Sequence, residues 1–117
     1  MHSRRIKNNW HIIKGQPLTE LDKKVLYYQN KGHLVPPRKL IKTAEQIEGI
    51  RRSSVVNTGV LDLVAREIKA GMSTAEIDKL VYDYTVSHGA IPAPLNYEGF
   101  PKSVCTSVNE VVCHGIP

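Results

Sequence analysis

NYEGFPKSVCTSVNEVVCHGIP, residues 96–117, gathers two aromatic rings, two thiols and one imidazole into the closing stretch of the chain. Its pattern is extended rather than helical. Lys102 to Val108 alternates with the period of two that a strand imposes, so Ser103, Cys105 and Ser107 are expected on one face and Val104, Thr106 and Val108 on the other. Asn109-Glu110 interrupts as a turn, and Val111-Val112-Cys113 resumes an apolar run that ends at His114-Gly115. Upstream, Ala90 to Leu95 contains Pro92 and Pro94 and is expected to be extended, able to pair only at an edge. The segment therefore reads as a sheet begun and left open, and an open edge needs a partner strand.

Before Gly89 the period changes to that of helices. Ser73-Thr74-Ala75-Glu76 has the form of a capping box, in which the hydroxyl accepts the third amide and the carboxylate reaches back to the cap amide. Ile77, Leu80, Val81 and Tyr84 follow at i, i+3, i+4 and i+7, and His88-Gly89 closes the helix. A second box, Thr43-Ala44-Glu45-Gln46, opens an earlier helix whose stripe is read as Ile47, Ile50, Leu61, Val64 and Ile68, interrupted by Ser54 and Asn57 and ended by Gly71. Two amphipathic helices with so short a connection should pack as an antiparallel pair, and their shared stripe is core.

Residues 1–40 form a leader of different composition. They hold nine Lys or Arg against Glu20 and Asp22, a net +7, while residues 41–117 carry −2, so the whole excess of +5 sits in the leader. Gly15-Gln16-Pro17 and Pro36-Pro37 divide it, and between them Leu18 to Gln29 is a short helix with Thr19 as its cap and Leu21, Val25 and Tyr27 or Tyr28 at helical spacing. A basic arm gains affinity for phosphate backbones by releasing counterions, which admits a ribosome-surface or rRNA contact; the plainer reading is a solvated extension.

The 117 residues suit one modest domain, and 41% hydrophobic with 23% charged residues is ordinary for a globular protein. No apolar run reaches the roughly 18 residues of a membrane span, and the N-terminus lacks the apolar core of a secretory signal, so a cytoplasmic protein with no membrane contact is expected. Cys105 and Cys113 then read as two free thiols rather than a disulfide.

Taken by themselves the chemical residues have bland readings. A lone histidine after an apolar run, as His114 is, more often makes a structural hydrogen bond than a catalytic or metal contact. Cys105, Cys113 and His114 offer three metal donors, but neighbours 113 and 114 on extended chain point to opposite faces, and His2, His11, His33 and His88 lack metal-binding spacing. Cys105 in mid-strand and Cys113 in an apolar run suit buried, inert thiols better than nucleophiles. Tyr97 and Phe100 read as core aromatics.

The unbroken FPKSVC followed by SVNEVVCHGIP resembles the type I methionine aminopeptidases, and the likeness extends over about Ile41 to Pro117. It implies an α+β fold: the N-terminal half of a pita-bread (creatinase/aminopeptidase-like) fold, an antiparallel helix pair plus an incomplete antiparallel sheet, as a truncated half-domain at 41–117 behind the leader at 1–40. It implies a metal-dependent hydrolase that removes the initiator methionine from nascent proteins with two divalent ions (Co, Mn, Fe or Zn), a monomer when intact. By the same resemblance Tyr97, Phe100 and Cys105 line the pocket for the substrate's N-terminal methionine. His114 stands over the cleft as the catalytic contact to the residue after the scissile bond, and Asn109 and Val111 match main-chain ligands of a peripheral monovalent cation. Pro94 and Glu98 fall at positions treated as variable. The family's metal ligands, two Asp, one His and two Glu, lie downstream of HGIP, so the chain as given is expected to hold no metal and to be inactive. Two other readings stay open: a non-catalytic half-fold that binds a partner, and an RNA-binding module built on the leader.

Overall fold

A computed structural model describes residues 10–117, which fall into two compact units divided between Ile47 and Glu48. The expectations that rest on residues 1–9, His2 and three of the leader's basic groups among them, lie outside the described residues.

In the first unit, helix α1 (Glu20–Asn30) starts where Thr19 caps it. The Thr19 hydroxyl accepts from the Asp22 amide at 3.1 Å, and the Thr19 amide donates to Asp22 Oδ2 at 2.9 Å. The face that α1 buries differs from the expected one. Asp22 and Val25 are buried, whereas Leu21, Tyr27 and Tyr28 are exposed. What Asp22 faces is Trp10, 1% exposed, whose indole N–H donates to Asp22 Oδ1 at 3.0 Å. Arg38, in a short 3₁₀ turn (Arg38–Leu40), pairs with the same carboxylate and lays its guanidinium 4.2 Å from the centroid of the Trp10 ring. Its Nε donates to the His11 carbonyl at 3.1 Å. The buried carboxylate is thus fully partnered, the condition under which an interior charge is tolerated.

Helix α2 (Ala44–Glu67) opens at the expected box: Gln46 N donates to Thr43 Oγ1 at 3.2 Å and Thr43 N to Gln46 Oε1 at 2.9 Å. It ends at Glu67, four residues before Gly71, which instead shapes the turn closed by the Met72 amide on the Lys69 carbonyl. Helix α3 (Thr74–Ser87) begins at Ser73, whose hydroxyl and amide exchange bonds with Glu76 at 3.2 and 2.7 Å. Its last turn closes with the Gly89 amide on the Val86 carbonyl and the Ala90 amide on the Thr85 carbonyl. That pattern needs a left-handed residue at 89, and Gly89 has φ 71°.

The second unit, Glu48–Pro117, has a thin core. Val60 and Val81 are buried, with Thr85, Pro92 and Ser103 beside them. The expected α2 stripe is displaced from the one observed: Val60 is buried while Ile50, Leu61 and Ile68 are exposed and Val64 is half-buried. Gly59 supplies the reason. A Cβ there would lie 2.1 Å from the Tyr84 hydroxyl, so the closest approach of α3 falls on Gly59 and Val60 rather than on Leu61. Contact eight residues before the end of one helix and ten after the start of the next is what an antiparallel pair produces.

The expected sheet is not seen among the described residues, none of which is a strand. Segments 103–107 and 114–116 are joined by one main-chain bond, Thr106 N to Gly115 O at 2.8 Å. Two reasons follow from the backbone. An isolated pair of short segments is marginal in water, and Asn109 (φ 53°) and His114 (φ 55°) leave the extended region on either side of the apolar run. Ala90 to Leu95 is not extended either, because residues 93–96 turn, with Leu95 N on Pro92 O and Tyr97 N on Pro94 O. No helix among the described residues is long and apolar enough to cross a membrane.

Candidate functional site

The loop after α3 is a series of turns rather than a strand. Following the bonds at Leu95 and Tyr97, the Asn96 amide bonds the Phe100 carbonyl at 2.9 Å, and the Phe100 amide bonds Tyr97 O at 2.9 Å. Asn96 (φ 63°) and Glu98 (φ 47°) take left-handed backbone to make this path. Asparagine adopts that region readily; for glutamate and for His114 it costs about 1–2 kcal/mol each. The loop is then pinned to α3 where the Ser103 amide donates to Asp78 Oδ1 at 2.7 Å.

The return of the chain completes a wall. Gly115 sits so close to Thr106 that a Cβ would lie 2.2 Å from its carbonyl oxygen, and the Gly115 amide also donates to Ser107 Oγ at 3.2 Å. With residues 105 and 114 fixed by this contact, Tyr97, Phe100, Cys105 and His114 line one open-sided hollow of about 650 Å³. Pro94, Glu98 and Ile116 share it. Among the described residues, three of the four non-glycine residues with positive φ, Asn96, Glu98 and His114, therefore lie in or beside the hollow. Backbone strain of this kind persists where surrounding structure over-determines it, and it concentrates at binding sites.

Several residue readings change on this geometry. Tyr97 is 67% exposed and Phe100 half-buried, so neither is a core aromatic. Cys105 and Cys113 are free and exposed rather than buried, and Cys113 is not part of the hollow. Asn109 and Val111 lie outside it, in and after the turn that the Val111 amide closes on Val108 O at 3.1 Å. Pro94 and Glu98, passed over in sequence, belong to the wall; the signal for them was the Asn96 and Gly99 pair, which marks a tight turn around Tyr97 and Glu98.

The donors present do not make a metal centre. Among the described residues no group of three or more His, Cys, Asp and Glu converges, and the polar ends at the hollow are Tyr97, Glu98, Cys105 and His114.

A helix pair with capped starts, followed by a looped wall bearing aromatic, thiol and imidazole groups, is the part of the chain that relatives share. The profile of metallopeptidase family M24 matches residues 48–117, and the chain belongs to that family. Within it the similar curated relatives are methionine aminopeptidases. Methionine aminopeptidase 1A of Arabidopsis thaliana is 54% identical over 77 residues, covering 66% of this chain and 19% of the relative. The mitochondrial methionine aminopeptidase 1D of Homo sapiens is 51% identical over 77 residues, 66% of this chain and 23% of the relative. The methionine aminopeptidase of Chlamydia trachomatis is 51% identical over 80 residues, 67% of this chain and 28% of the relative. Among solved structures, the methionine aminopeptidase of Rickettsia prowazekii superposes with a TM-score of 0.58 at 42% identity, over 67% of this chain and 32% of that one. The chain thus spans between about a fifth and just over a quarter of the length of these curated relatives.

Proposed function

We propose that the hollow bounded by Tyr97, Phe100, Cys105 and His114 is the methionine-binding wall of a methionine aminopeptidase, the N-terminal half of a pita-bread fold whose substrate is the initiator methionine of nascent proteins. One observation carries the reading: four side chains separated by up to 17 positions in the chain line one cavity. An unbranched thioether is well held by such a lining, since sulfur against aromatic rings contributes about 0.3–1.5 kcal/mol per contact and a thiol adds a polarizable neighbour. His114 is the polar group at the rim. With its backbone left-handed and the residue in the lining of the hollow, its imidazole could donate to, or accept from, the main chain of the residue that follows the methionine.

Selection would be by shape. A straight side chain enters the open slot between Tyr97 and Phe100, a β-branched one meets their rings, and discrimination of this kind is worth about 1–3 kcal/mol per methylene. The main-chain carbonyls of Asn109 and Val111 remain part of the proposal as ligands for a peripheral monovalent cation. A cytoplasmic setting accords with two exposed free thiols, which an oxidising compartment would pair or modify.

For the chain as given the expected outcome is binding without turnover. Titration of Met-Gly-Gly into ¹⁵N-labelled protein should shift the amides of residues 97–100, 105 and 114, and Val-Gly-Gly should shift them less. In parallel, a methionine-release assay with added Mn or Co should show no product and no stoichiometric metal. Shifts confined to other residues would refute the pocket, and release of methionine would refute the view that this chain lacks the metal ligands.

A further inference from the structure

Helix α1 has two faces of different chemistry. At about 100° per residue, buried Asp22 and Val25 and half-buried Leu26 and Gln29 share one side. Lys24, Tyr27, Tyr28 and Lys31, at i, i+3, i+4 and i+7, occupy the other and are exposed. The rings are available as surfaces, Tyr27 being 54% and Tyr28 44% exposed. They meet edge to face at 5.3 Å, His33 meets Tyr28 edge to face at 5.7 Å, and the Lys31 ammonium stands 4.4 Å over the Tyr27 ring.

Among the described residues the cations on this side have no carboxylate partner. Glu20 pairs with Lys23, and Asp22 is taken up by Arg38, Trp10 and Thr19. Among the described residues neither Lys24 nor Lys31 forms an ion pair, and the same holds for Lys14 and Lys39. The clasp at Trp10, Asp22 and Arg38 fixes the opposite side of the helix, and none of the stripe's four residues is buried.

We propose that this stripe docks single-stranded nucleic acid, with bases on Tyr27 and Tyr28 and phosphates at Lys24 and Lys31. The proposal is independent of the aminopeptidase reading, which concerns residues 48–117. Charge complementarity selects a polyanion, because the leader carries +7 and the stripe is tipped by a cation at each end. The rings then select among polyanions. A duplex presents phosphates and keeps its bases stacked inside, so it would use the lysines and leave the tyrosines idle. A single strand offers a π-face with every base between its phosphates, and on the stripe two neighbouring rings lie between two cations. An anionic bilayer would also meet the lysines, but beside the two rings the stripe offers it only Leu21 as aliphatic surface to bury.

The test uses the full chain and a fluorescein-labelled oligouridylate of about 12 nucleotides, followed by anisotropy from 50 to 200 mM salt. Binding should weaken steeply with salt. Y27A/Y28A should weaken it at least tenfold at fixed salt, while Y27F/Y28F keeps it, because stacking needs the ring and not the hydroxyl. K24Q/K31Q should flatten the logarithmic salt slope by about 1.4, two phosphate contacts at about 0.7 each. All four side chains changed are exposed, and circular dichroism checks that α1 persists. The proposal is overturned if the oligonucleotide does not bind at 50 mM salt, if Y27A/Y28A binds like the parent, if a duplex of the same length binds equally well, or if phosphatidylserine vesicles are bound in preference.

Discussion

Trp10 is enclosed by an arginine face and a carboxylate, whereas Val60 is enclosed by Val81, Thr85 and the close approach of Tyr84 to Gly59. The first arrangement belongs to residues 10–47 and the second to residues 48–117. In the first, a single aromatic ring and a fully bonded ion pair replace the apolar core that so short a segment cannot assemble. In the second, apolar contact is shallow, and the Ser73 capping box and loop hydrogen bonds take much of the burden. The difference is one of concentration. Order in the leader depends on three side chains, and order around the hollow is spread over many.

The sharpest way to break this comparison is Trp10→Ala. Loss of a fully buried tryptophan costs about 3–5 kcal/mol, and it also strips Arg38 of its ring and Asp22 of one donor. Hydrogen exchange should show the amides of α1 losing protection while those of α3 keep theirs. Equal losses in both helices would mean that the two regions unfold as one, and the contrast drawn above would fail.

Next in size is Gly115→Ala. The added Cβ would sit 2.2 Å from the Thr106 carbonyl oxygen and 3.0 Å from the Ser107 Cα, both backbone atoms with little freedom to yield. Overpacking of this kind costs about 1–3 kcal/mol, and it should part residues 105 and 114. The expected result is faster exchange at the Thr106 amide and loss of Met-Gly-Gly binding with α2 and α3 unchanged. Retained peptide binding would show that the wall does not depend on this contact.

What could be read in advance, and what could not, follows the same division between local and distant forces. Thr19, Thr43 and Ser73 were legible as caps because each acts on a residue three positions away. His88-Gly89 was legible as a stop for the same reason. The register of α2 was not, since apolar spacing cannot tell Val60 from Leu61 when the deciding feature is a glycine opposite Tyr84. The clasp of Trp10, Asp22 and Arg38 joins residues 12 and 16 positions apart through one carboxylate, and no periodic pattern announces it. The hollow was approached through family likeness rather than spacing. Alternation from Lys102 to Val108 pointed to a strand, and the left-handed backbone at Asn109 and His114 is what alternation cannot report.

Acid sharpens the comparison by working on one carboxylate in each region. The Thr19 hydroxyl, then its amide, then Arg38 and Trp10 hold the Asp22 carboxyl well below the usual carboxylate range. The Ser73 amide and hydroxyl, helped by Lys69, lower Glu76 in the same direction. A carboxylate whose folded pKa is depressed contributes its full stability above its unfolded value, about 4, and loses that contribution as pH falls further toward the folded value. Both regions should therefore weaken below about pH 4 and not between pH 5 and 7. Trp10, the single tryptophan of the chain, reports on the first. Its emission should shift to the red as acid protonates Asp22, and in Asp22→Asn the red-shifted state should be present already at pH 7. An Asp22→Asn emission identical to the parent's at pH 7 would show that the carboxylate is not what holds the ring.

The smallest effect separates the two helix starts. Ser73→Ala removes the hydroxyl that accepts from the Glu76 amide and leaves the Glu76 carboxylate with the Ser73 amide alone, a loss of about 1 kcal/mol. Thr43→Ala removes the same kind of bond from Gln46, but there the returning group is a neutral amide rather than a carboxylate at the positive end of a helix. Acid should thus erase part of the α3 cap and spare the α2 cap. Thermal melts at pH 7 and in acid strong enough to titrate Glu76 should show the destabilisation by Ser73→Ala shrinking in the acid, since protonating Glu76 loosens the box. For Thr43→Ala the destabilisation should be the same at both. If both variants respond alike to pH, the charge on Glu76 adds nothing to the cap, and the α3 start is held by the serine hydroxyl and helix packing alone.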